Sequence, residues 1–324
     1  IGIAEAPGSF IQCIILFRQK FKLLSSKDRI NCLTIYSDDS KFVKMNDKCM
    51  ASYNSINSKL VNVFKTVPTK ESNKSLIKTD GDLTKIKTHN IFNKYISSKK
   101  EYANLITADG GFTWKNENYQ EQEAYRLILG EIMNCLYNIN KDGSFILKVF
   151  ETFTDVTIKM IYLCGSFFKE TYMYKPFMSR TSNSEKYIVF KNFKYNPKDK
   201  KLKNMLDKLL TIFKSIDGNK KYIHDIIPSM PINIKYIEQI KYMNIMIMNK
   251  QNIMINMIKS FIDRKNNYGV EYHNYMKKQI ENTKFWINKF YTEAQNLNKI
   301  KKKLKEELTK IENYNSNEAL LLYT

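Results

Sequence analysis

The chain has 324 residues, of which 43% are hydrophobic, and this is enough to bury the core of one large domain or two ordinary ones. Ten glycines and six prolines exclude a collagen-like chain and a disordered chain rich in proline and glycine. The 53 Lys and Arg outnumber the 32 Asp and Glu, so the net charge is +21. This charge favours a polyanionic partner such as nucleic acid, although AT-rich coding would also enrich lysine.

Cysteine and histidine show no disulfide or metal pattern. The five cysteines include no CxxC pair, and His89, His224 and His273 lie far apart in the chain. We therefore expect no metal site and a reducing compartment, which means an intracellular, cytoplasmic protein. No stretch approaches the ~20 apolar residues of a membrane span, so no membrane partner is expected. The chain begins with Ile1 rather than Met and is interpreted as truncated at its start.

Residues 1 to about 194 alternate short apolar runs with helical stretches, which is typical of an α/β domain with a largely parallel sheet. A first strand at residues 2–4 is followed by a Pro-Gly turn and a helix over residues 10–21. A second strand is expected at residues 31–36. The polar stretch at residues 41–78 has no clear period and predicts loops or short helices.

Further strands are expected at residues 104–108, 144–150, 171–174 and 186–193. Helices are expected between them, around residues 86–96, 121–138 and 155–168. This order of elements continues the alternating α/β pattern.

From residue 196 the pattern becomes helical throughout. One helix is marked by Leu202 and Phe213, a long one runs from Ile237 to Phe261, and a third runs from residue 270 towards 312. We therefore expect one domain at residues 1–195 and an all-helical C-terminal extension at 196–324. The Met-rich stripe of the long helix is expected to pack against the first domain, with a protein-partner interface as the alternative.

The loop after the first strand, residues 4–10, contains a Pro-Gly turn before a helix, and open parallel sheets bind ligands at such crossings. The spacing is neither GxGxxG nor a GK[ST] phosphate loop, so a dinucleotide fold and a P-loop are both disfavoured. An ordinary turn is the competing interpretation of this loop.

Lys148 lies inside the apolar run 144–150. A lysine there must lie at the strand end or be paired, because burying an unpaired charge destabilises the fold. A desolvated lysine gives up its proton more readily, as a catalytic base requires, whereas an edge lysine would simply reach solvent. Asp109 ends one expected strand and Glu185 opens another. The two separations, 39 and 37 residues, are each about one βα unit, so all three side chains are expected at one edge of the sheet.

Four segments in this order resemble the FtsJ-like (RrmJ-like) ribose 2′-O-methyltransferases: residues 3–12 (IAEAPGSFIQ), 106–112 (ITADGGF), 145–150 (FILKVF) and 175–187 (KPFMSRTSNSEKY). The chain looks most similar to the cap-specific branch, including the versions found in large DNA viruses. The resemblance covers residues 1 to about 194 and implies a Rossmann-like methyltransferase sheet with flanking helices. The helical extension matches no family motif.

The resemblance implies a Lys-Asp-Lys-Glu tetrad, of which Asp109, Lys148 and Glu185 match the last three members. Lys148 would take the hydroxyl proton, Glu185 would orient Lys148, and Asp109 would orient the lysine near the methyl donor. The first lysine of the tetrad lies upstream of residue 1 in the family pattern. Ser9 stands where the family usually has a second glycine.

The implied cofactor is S-adenosylmethionine, and no metal is implied. Asp82 is expected at the adenine, Asp38 or Asp39 at the cofactor ribose, and Asp109 near the methyl group. For Asp82, Asp38 and Asp39 the alternative is an ordinary solvated or capping acid in a turn. The remaining cofactor residues lie in the first loop: Ala6, Pro7, Gly8, Ser9 and Phe10. Lys175 and Arg180 are expected to bind RNA phosphate, and Lys186 is a weaker candidate for the same contact. Trp114 is expected to stack on a base, with ordinary packing as its alternative.

The sequence thus predicts an RNA ribose 2′-O-methyltransferase that acts on the first transcribed nucleotide of capped mRNA. The alternatives are the same chemistry on ribosomal or transfer RNA, and a non-catalytic RNA-binding or assembly subunit. The missing lysine and the Met-rich tail favour the subunit, while the intact Asp109, Lys148 and Glu185 argue against it. A viral source would place the protein in the virion or the viral factory.

Overall fold

The computed structural model describes residues 1–35, 43–57, 60–64, 80–111, 116–216, 223–265 and 269–290, together with residues 302 and 306. The chain divides into two compact units. The first comprises Ile1–Ile11, Ser25–Ser179 and Asn183–Ile247, and the second comprises Gln12–Leu24, Arg180–Ser182 and Met248–Thr324. These units are defined by contacts within the structure, whereas the domain boundary after residue 195 was predicted from the sequence pattern. That boundary stays a prediction.

A seven-stranded sheet with the order β3-β2-β1-β4-β5-β7-β6 lies in the first unit. Its strands are β1 (Gly2–Ile3), β2 (Ile30–Leu33), β3 (Val61–Val63), β4 (Ala103–Ala108), β5 (Ile139–Val149), β6 (Phe168–Tyr174) and β7 (Lys186–Phe193). The four pairings among β1 to β5 are parallel, whereas β7 runs antiparallel to both β5 and β6.

The described helices are α1 (Ser9–Lys20), α2 (Asp47–Tyr53), α3 (Ile86–Lys99), α4 (Gln120–Asn138), α5 (Asp155–Ser166), α6 (Lys200–Ile216), α7 (Ile234–Asp263) and α8 (Val270–Phe290), with a 3₁₀ turn at Glu117–Tyr119. Helices α1 to α5 alternate with the strands, and α6 to α8 follow the sheet. The predicted α/β Rossmann-like sheet with flanking helices and a helical C-terminal extension is confirmed.

One feature of the sheet differs from the prediction, and a second was left open by it. Strand β3 lies in the polar stretch that predicted only loops or short helices, because three residues are too few to show a period. Strand β7 is antiparallel to its neighbours. Only residues 175–185 join β6 to β7, without a helix, and a chain that does not cross over returns in the opposite direction.

Parts of the helical extension contact the sheet within the first compact unit. Leu202, Leu206 and Phe213 of α6 are buried in the core that also holds the sheet. In α7, Asn244 is 6% exposed and bonds with Thr152, donating to its carbonyl at 2.8 Å and accepting from its hydroxyl at 2.7 Å. Farther along α7, Ile253 is 71% exposed. The start of α7 therefore contacts the loop after β5. The packing of the Met-rich stripe stays a prediction.

Candidate active site

The sheet brings the predicted catalytic residues to one edge. Asp109 directly follows β4, Lys148 is the penultimate residue of β5, and Glu185 directly precedes β7. Because β7 is antiparallel, it begins at the edge where β4 and β5 end, and its register places Tyr187 opposite Lys148. Two strand ends and one strand start thus converge at the carboxyl edge of the parallel strands, where such sheets bind ligands.

The ammonium of Lys148 is held by Asp109. Nζ lies 2.9 Å from Oδ1 of Asp109, an ion pair by distance that lacks hydrogen-bond geometry, and donates to the main-chain carbonyl of Asp109 at 3.1 Å. Nζ also lies 5.4 Å from the centroid of the Phe150 ring, within range of a cation–π contact. The side chain of Lys148 is 11% exposed, so the lysine is paired and largely desolvated rather than extended into solvent.

Tyr187 lies near the two carboxylates of the site. Burial, together with the negative charges of Asp109 and Glu185, raises the pKa of Tyr187. Burial also raises the pKa of Asp109, although Lys148 acts in the opposite direction. Ser179 donates to Oε1 of Glu185 at 3.2 Å. Sequence reasoning gave Tyr187 no role, although its place two residues after Glu185 puts both on one face of a strand.

Glu5 is a second residue whose role the sequence reasoning missed. It is 3% exposed, and its Oε1 accepts the amide hydrogen of Ile11, in the first turn of α1, at 3.0 Å. Burial raises the pKa of Glu5 to about 7, with a smaller contribution from the charge of Asp109 and opposition from the Ile11 amide. The sequence feature that marks this role is a carboxylate within a short apolar loop. Glu5 caps the N-terminus of α1 from the buried side of the helix.

All five residues predicted to line the cofactor in the first loop follow β1: Ala6, Pro7, Gly8, Ser9 and Phe10. Pro7 and Ser9 are exposed, whereas Gly8 is buried. Gly8 has a φ of 111°, and a Cβ there would lie 2.6 Å from Cε of Met50. The backbone conformation therefore favours glycine, and a Cβ would also displace the end of the Met50 side chain. The close approach of a ligand to Gly8 stays a prediction.

Asp82 lies in the loop before α3, where its carboxylate shapes a turn. Oδ1 accepts from the amide of Thr84 at 2.9 Å and from its hydroxyl at 2.7 Å, and Oδ2 lies 3.4 Å from Nζ of Lys85. A contact with adenine stays a prediction. Asp38 and Asp39 lie outside the described residues.

Lys175 has contacts that its predicted role in RNA binding did not include. Its Nζ donates to the carbonyl of Asn183 at 2.9 Å, to Oδ1 of Asn183 at 2.7 Å and to the carbonyl of Glu185 at 2.5 Å. These bonds close the loop that precedes β7 and place Glu185. Contact with RNA stays a prediction for Lys175.

The other basic and aromatic candidates lie in different settings. Arg180 is exposed and belongs to the second compact unit, and Trp114 lies outside the described residues, so their RNA contacts stay predictions. Lys186, a weaker phosphate candidate, is 2% exposed and donates to the carbonyl of Phe150. Burial lowers the pKa of Lys186 to about 8. It is a buried structural residue, so the hypothesis of a phosphate contact was wrong for it.

The edge of the sheet fits a cationic methyl donor. Among the described residues, a Cβ on Gly111 would meet Nζ of Lys148 alone, at 3.7 Å. The Asp109 side chain is 31% exposed at this edge and supplies a negative charge for a sulfonium. The first loop follows the neighbouring strand, since β1 pairs with β4. The residues present therefore suit S-adenosylmethionine.

Within the described residues, no group of three or more His, Cys, Asp or Glu side chains is arranged to hold a metal ion. All five cysteines are free thiols. None of the helices in the described part of the chain is both long and apolar enough to span a membrane.

The order of the sheet, with one antiparallel strand beside its edge, and the Asp-Lys-Glu site together define a Rossmann-like methyltransferase. Residues 1–193 match the family described as FtsJ-like methyltransferase. The chain belongs to this family, whose members take the methyl group from S-adenosylmethionine.

Relatives with a named activity match shorter segments. A cap-specific mRNA (nucleoside-2′-O-)-methyltransferase 1 of Dictyostelium discoideum is 33% identical over 161 residues, which are 49% of this chain and 20% of the relative. The Homo sapiens protein of the same name is 32% identical over 118 residues, 36% of this chain and 14% of its own length. The matched segment thus spans at most about a fifth of the length of these relatives.

Among solved structures, a ribosomal RNA methyltransferase of Plasmodium falciparum is 18% identical and covers 59% of this chain and 84% of its own, with a TM-score of 0.37. This likeness is too low to support a functional argument.

Proposed function

We propose that the protein methylates the ribose 2′-oxygen of RNA and that its substrate is the first transcribed nucleotide of capped mRNA. The observation that carries the proposal is the Lys148 ammonium, 2.9 Å from Asp109 and largely desolvated at the edge of the sheet, with Glu185 at the same edge. The names of the relatives from Dictyostelium discoideum and Homo sapiens support a capped mRNA substrate. The net charge of +21 suits a polyanion.

When bound, S-adenosylmethionine supplies a methyl group activated by the sulfonium charge, which the ribose 2′-oxygen takes as the carbon–sulfur bond breaks and its electron pair stays on sulfur. The first loop, the Asp82 loop and Asp109 would hold this cofactor. The protein then has two tasks, which are to align the hydroxyl and to take its proton.

To act as the base, the Lys148 ammonium first releases a proton to solvent. The neutral amine then accepts the proton of the ribose hydroxyl at Nζ. Asp109 holds that nitrogen through its carboxylate and its main-chain carbonyl, so the lysine is placed before the RNA arrives. Tyr187 lies opposite Lys148 in the sheet and near both carboxylates. Once the proton is transferred, the charged Lys148 is stabilised by Asp109.

The proposed role of Lys148 is tested by methyl transfer with Lys148→Ala. General-base catalysis is worth about 10²–10⁴-fold, so we expect turnover to fall by at least that factor while cofactor binding stays nearly unchanged. Lys141→Ala, which removes an exposed lysine from the same strand, is the matched control and should retain turnover. Turnover retained by Lys148→Ala would refute the assignment.

The proposed adenine contact is tested by calorimetric binding of S-adenosylmethionine to Asp82→Ala. A lost hydrogen bond to a carboxylate is worth about 1.5–3 kcal/mol, so the affinity should fall about 10–100-fold. Thr84→Val removes the hydroxyl that bonds Asp82 but keeps the carboxylate, and it should bind the cofactor normally. Equal losses in both variants would assign Asp82 to the turn alone.

A further inference from the structure

Glu131 is a buried carboxylate that reaches the active-site loop from α4. It is 1% exposed, and its Oε1 accepts the amide hydrogen of Gly110 at 2.9 Å. That amide belongs to the same peptide unit as the carbonyl of Asp109, which accepts from Nζ of Lys148 at 3.1 Å. One peptide group therefore lies between the buried carboxyl group and the lysine of the site.

The geometry of a trans peptide makes this contact directional. The N–H and C=O bonds of such a group point in opposite directions within one plane, so holding one of them orients the other. When Glu131 accepts the Gly110 hydrogen, the carbonyl of Asp109 is aimed at Lys148. Without that acceptor, the peptide loses one of the two hydrogen bonds that orient it.

The loop is built for the approach of Glu131. A Cβ on Gly110 would lie 2.3 Å from Oε1 of Glu131, so any larger residue would displace the carboxyl group. Burial raises the pKa of Glu131 to about 8, against the effect of the Gly110 amide and the charge of Lys148. Among the described residues, the charge of Lys148 lowers the pKa of Glu131 and the charge of Asp109 raises it. Burying a carboxyl group destabilises the fold. The hydrogen bond that Glu131 makes in return is to the active-site loop.

We propose that Glu131 is a positioning residue for Lys148, acting through the Asp109–Gly110 peptide. This inference rests on the proposed function, because it assumes that Lys148 handles the proton of the ribose hydroxyl. The role is distinct from general stabilisation of the core. It requires an acceptor at residue 131 and does not require a negative charge there.

Four variants of two glutamates on α4 separate positioning from stability. Glu131→Gln keeps the acceptor, whereas Glu131→Leu removes it. Glu121 is the matched control, since it lies on the same helix, is 3% exposed and accepts the amides of Phe153 at 3.1 Å and Thr154 at 2.9 Å. It is changed to Gln and to Leu in the same way.

We expect Glu131→Leu to lower kcat about 10–100-fold with little change in KM for RNA, because small misplacements of reacting groups cost this much. Glu131→Gln should restore kcat to within a few-fold of wild type. Glu121→Leu should lower the unfolding midpoint and leave kcat near that of wild type. Equal losses of kcat in the two Leu variants, or wild-type kcat in Glu131→Leu, would overturn the proposal.

Nuclear magnetic resonance of the protein without cofactor gives a readout that does not depend on activity. The Gly110 amide should titrate with a midpoint at about pH 8 in wild type and should not do so in Glu131→Gln. It should exchange with solvent faster in Glu131→Leu than in Glu131→Gln. A Gly110 amide without protection from solvent exchange in wild type would overturn the proposal even if Glu131→Leu failed to fold. A wild-type protein without methyl transfer would overturn the proposed function while the Gly110 signals still tested the contact.

Discussion

Replacing Glu5 by Gln should flatten the dependence of stability on pH. The pKa of Glu5 is raised to about 7 in the folded protein by burial, against an ordinary value of 4.5. The native state therefore holds this proton more tightly than the unfolded state does. The stability that the protonated group provides is fully present below pH 4.5 and is lost as the pH rises through about 7.

The magnitude follows from the size of this shift. Linkage gives a loss of about 2 kcal/mol by pH 6 and about 3 kcal/mol by pH 8, relative to a group that does not titrate. Gln keeps a carbonyl oxygen that can accept from the Ile11 amide, whose nitrogen lies 3.0 Å from Oε1 of Glu5 in wild type. The side chain of Gln cannot ionise. The variant should therefore gain about 2 kcal/mol over wild type between pH 5 and pH 8.

Urea unfolding of both proteins at pH 5, 6 and 8 measures this gain. Taking the difference between the two proteins cancels other titrating groups, including Glu131. Glu271→Gln removes a carboxylate whose side chain is 70% exposed and controls for the loss of one negative charge. A difference between wild type and Glu5→Gln that stays constant from pH 5 to pH 8 would refute the reasoning.

Two further substitutions test contacts around the site. Tyr187→Phe removes the hydroxyl near Asp109 and Glu185 but keeps the ring, whose centroid lies 6.1 Å from that of Phe10. In the methyl-transfer assay kcat should fall about 10-fold with an unchanged unfolding midpoint, and an unchanged kcat would exclude a role for the hydroxyl. Asn244→Leu leaves the buried hydroxyl and carbonyl of Thr152 without partners, so urea unfolding should show a loss of about 2 kcal/mol. Wild-type stability would mean that α7 does not support the loop after β5.

The sequence was most informative where a charged residue interrupts an apolar run. Lys148 inside a run of strand residues and Asp109 at the end of another could be assigned to the sheet edge from spacing alone, because parallel strands end at one side. The direction of β7 could not be assigned in this way. It depends on a connection without a helix, although the site needs that direction to bring Glu185 and Tyr187 to the same edge.

The contacts that hold the catalytic residues were harder to predict than the residues themselves. Glu131 lies 21 residues from Gly110 and meets it only because α4 packs beside β4. Glu5 acts on a helix that begins after a tight turn, so its role depends on the path of the loop. A charged residue in an apolar segment marks such a contact, but the partner is set by tertiary packing.

The measurement that tests the central claim most directly is the position of the transferred methyl group. Matched capped and uncapped RNAs would be incubated with labelled S-adenosylmethionine, using protein that includes any residues upstream of Ile1, and the products digested to nucleosides and separated. The account predicts label in the 2′-O-methylated nucleoside adjacent to the cap, and its loss with Lys148→Ala. Label in uncapped RNA as well would favour a broader RNA substrate. Label on a base, or RNA binding without cofactor binding or transfer, would contradict the account, and the latter result would favour a non-catalytic subunit.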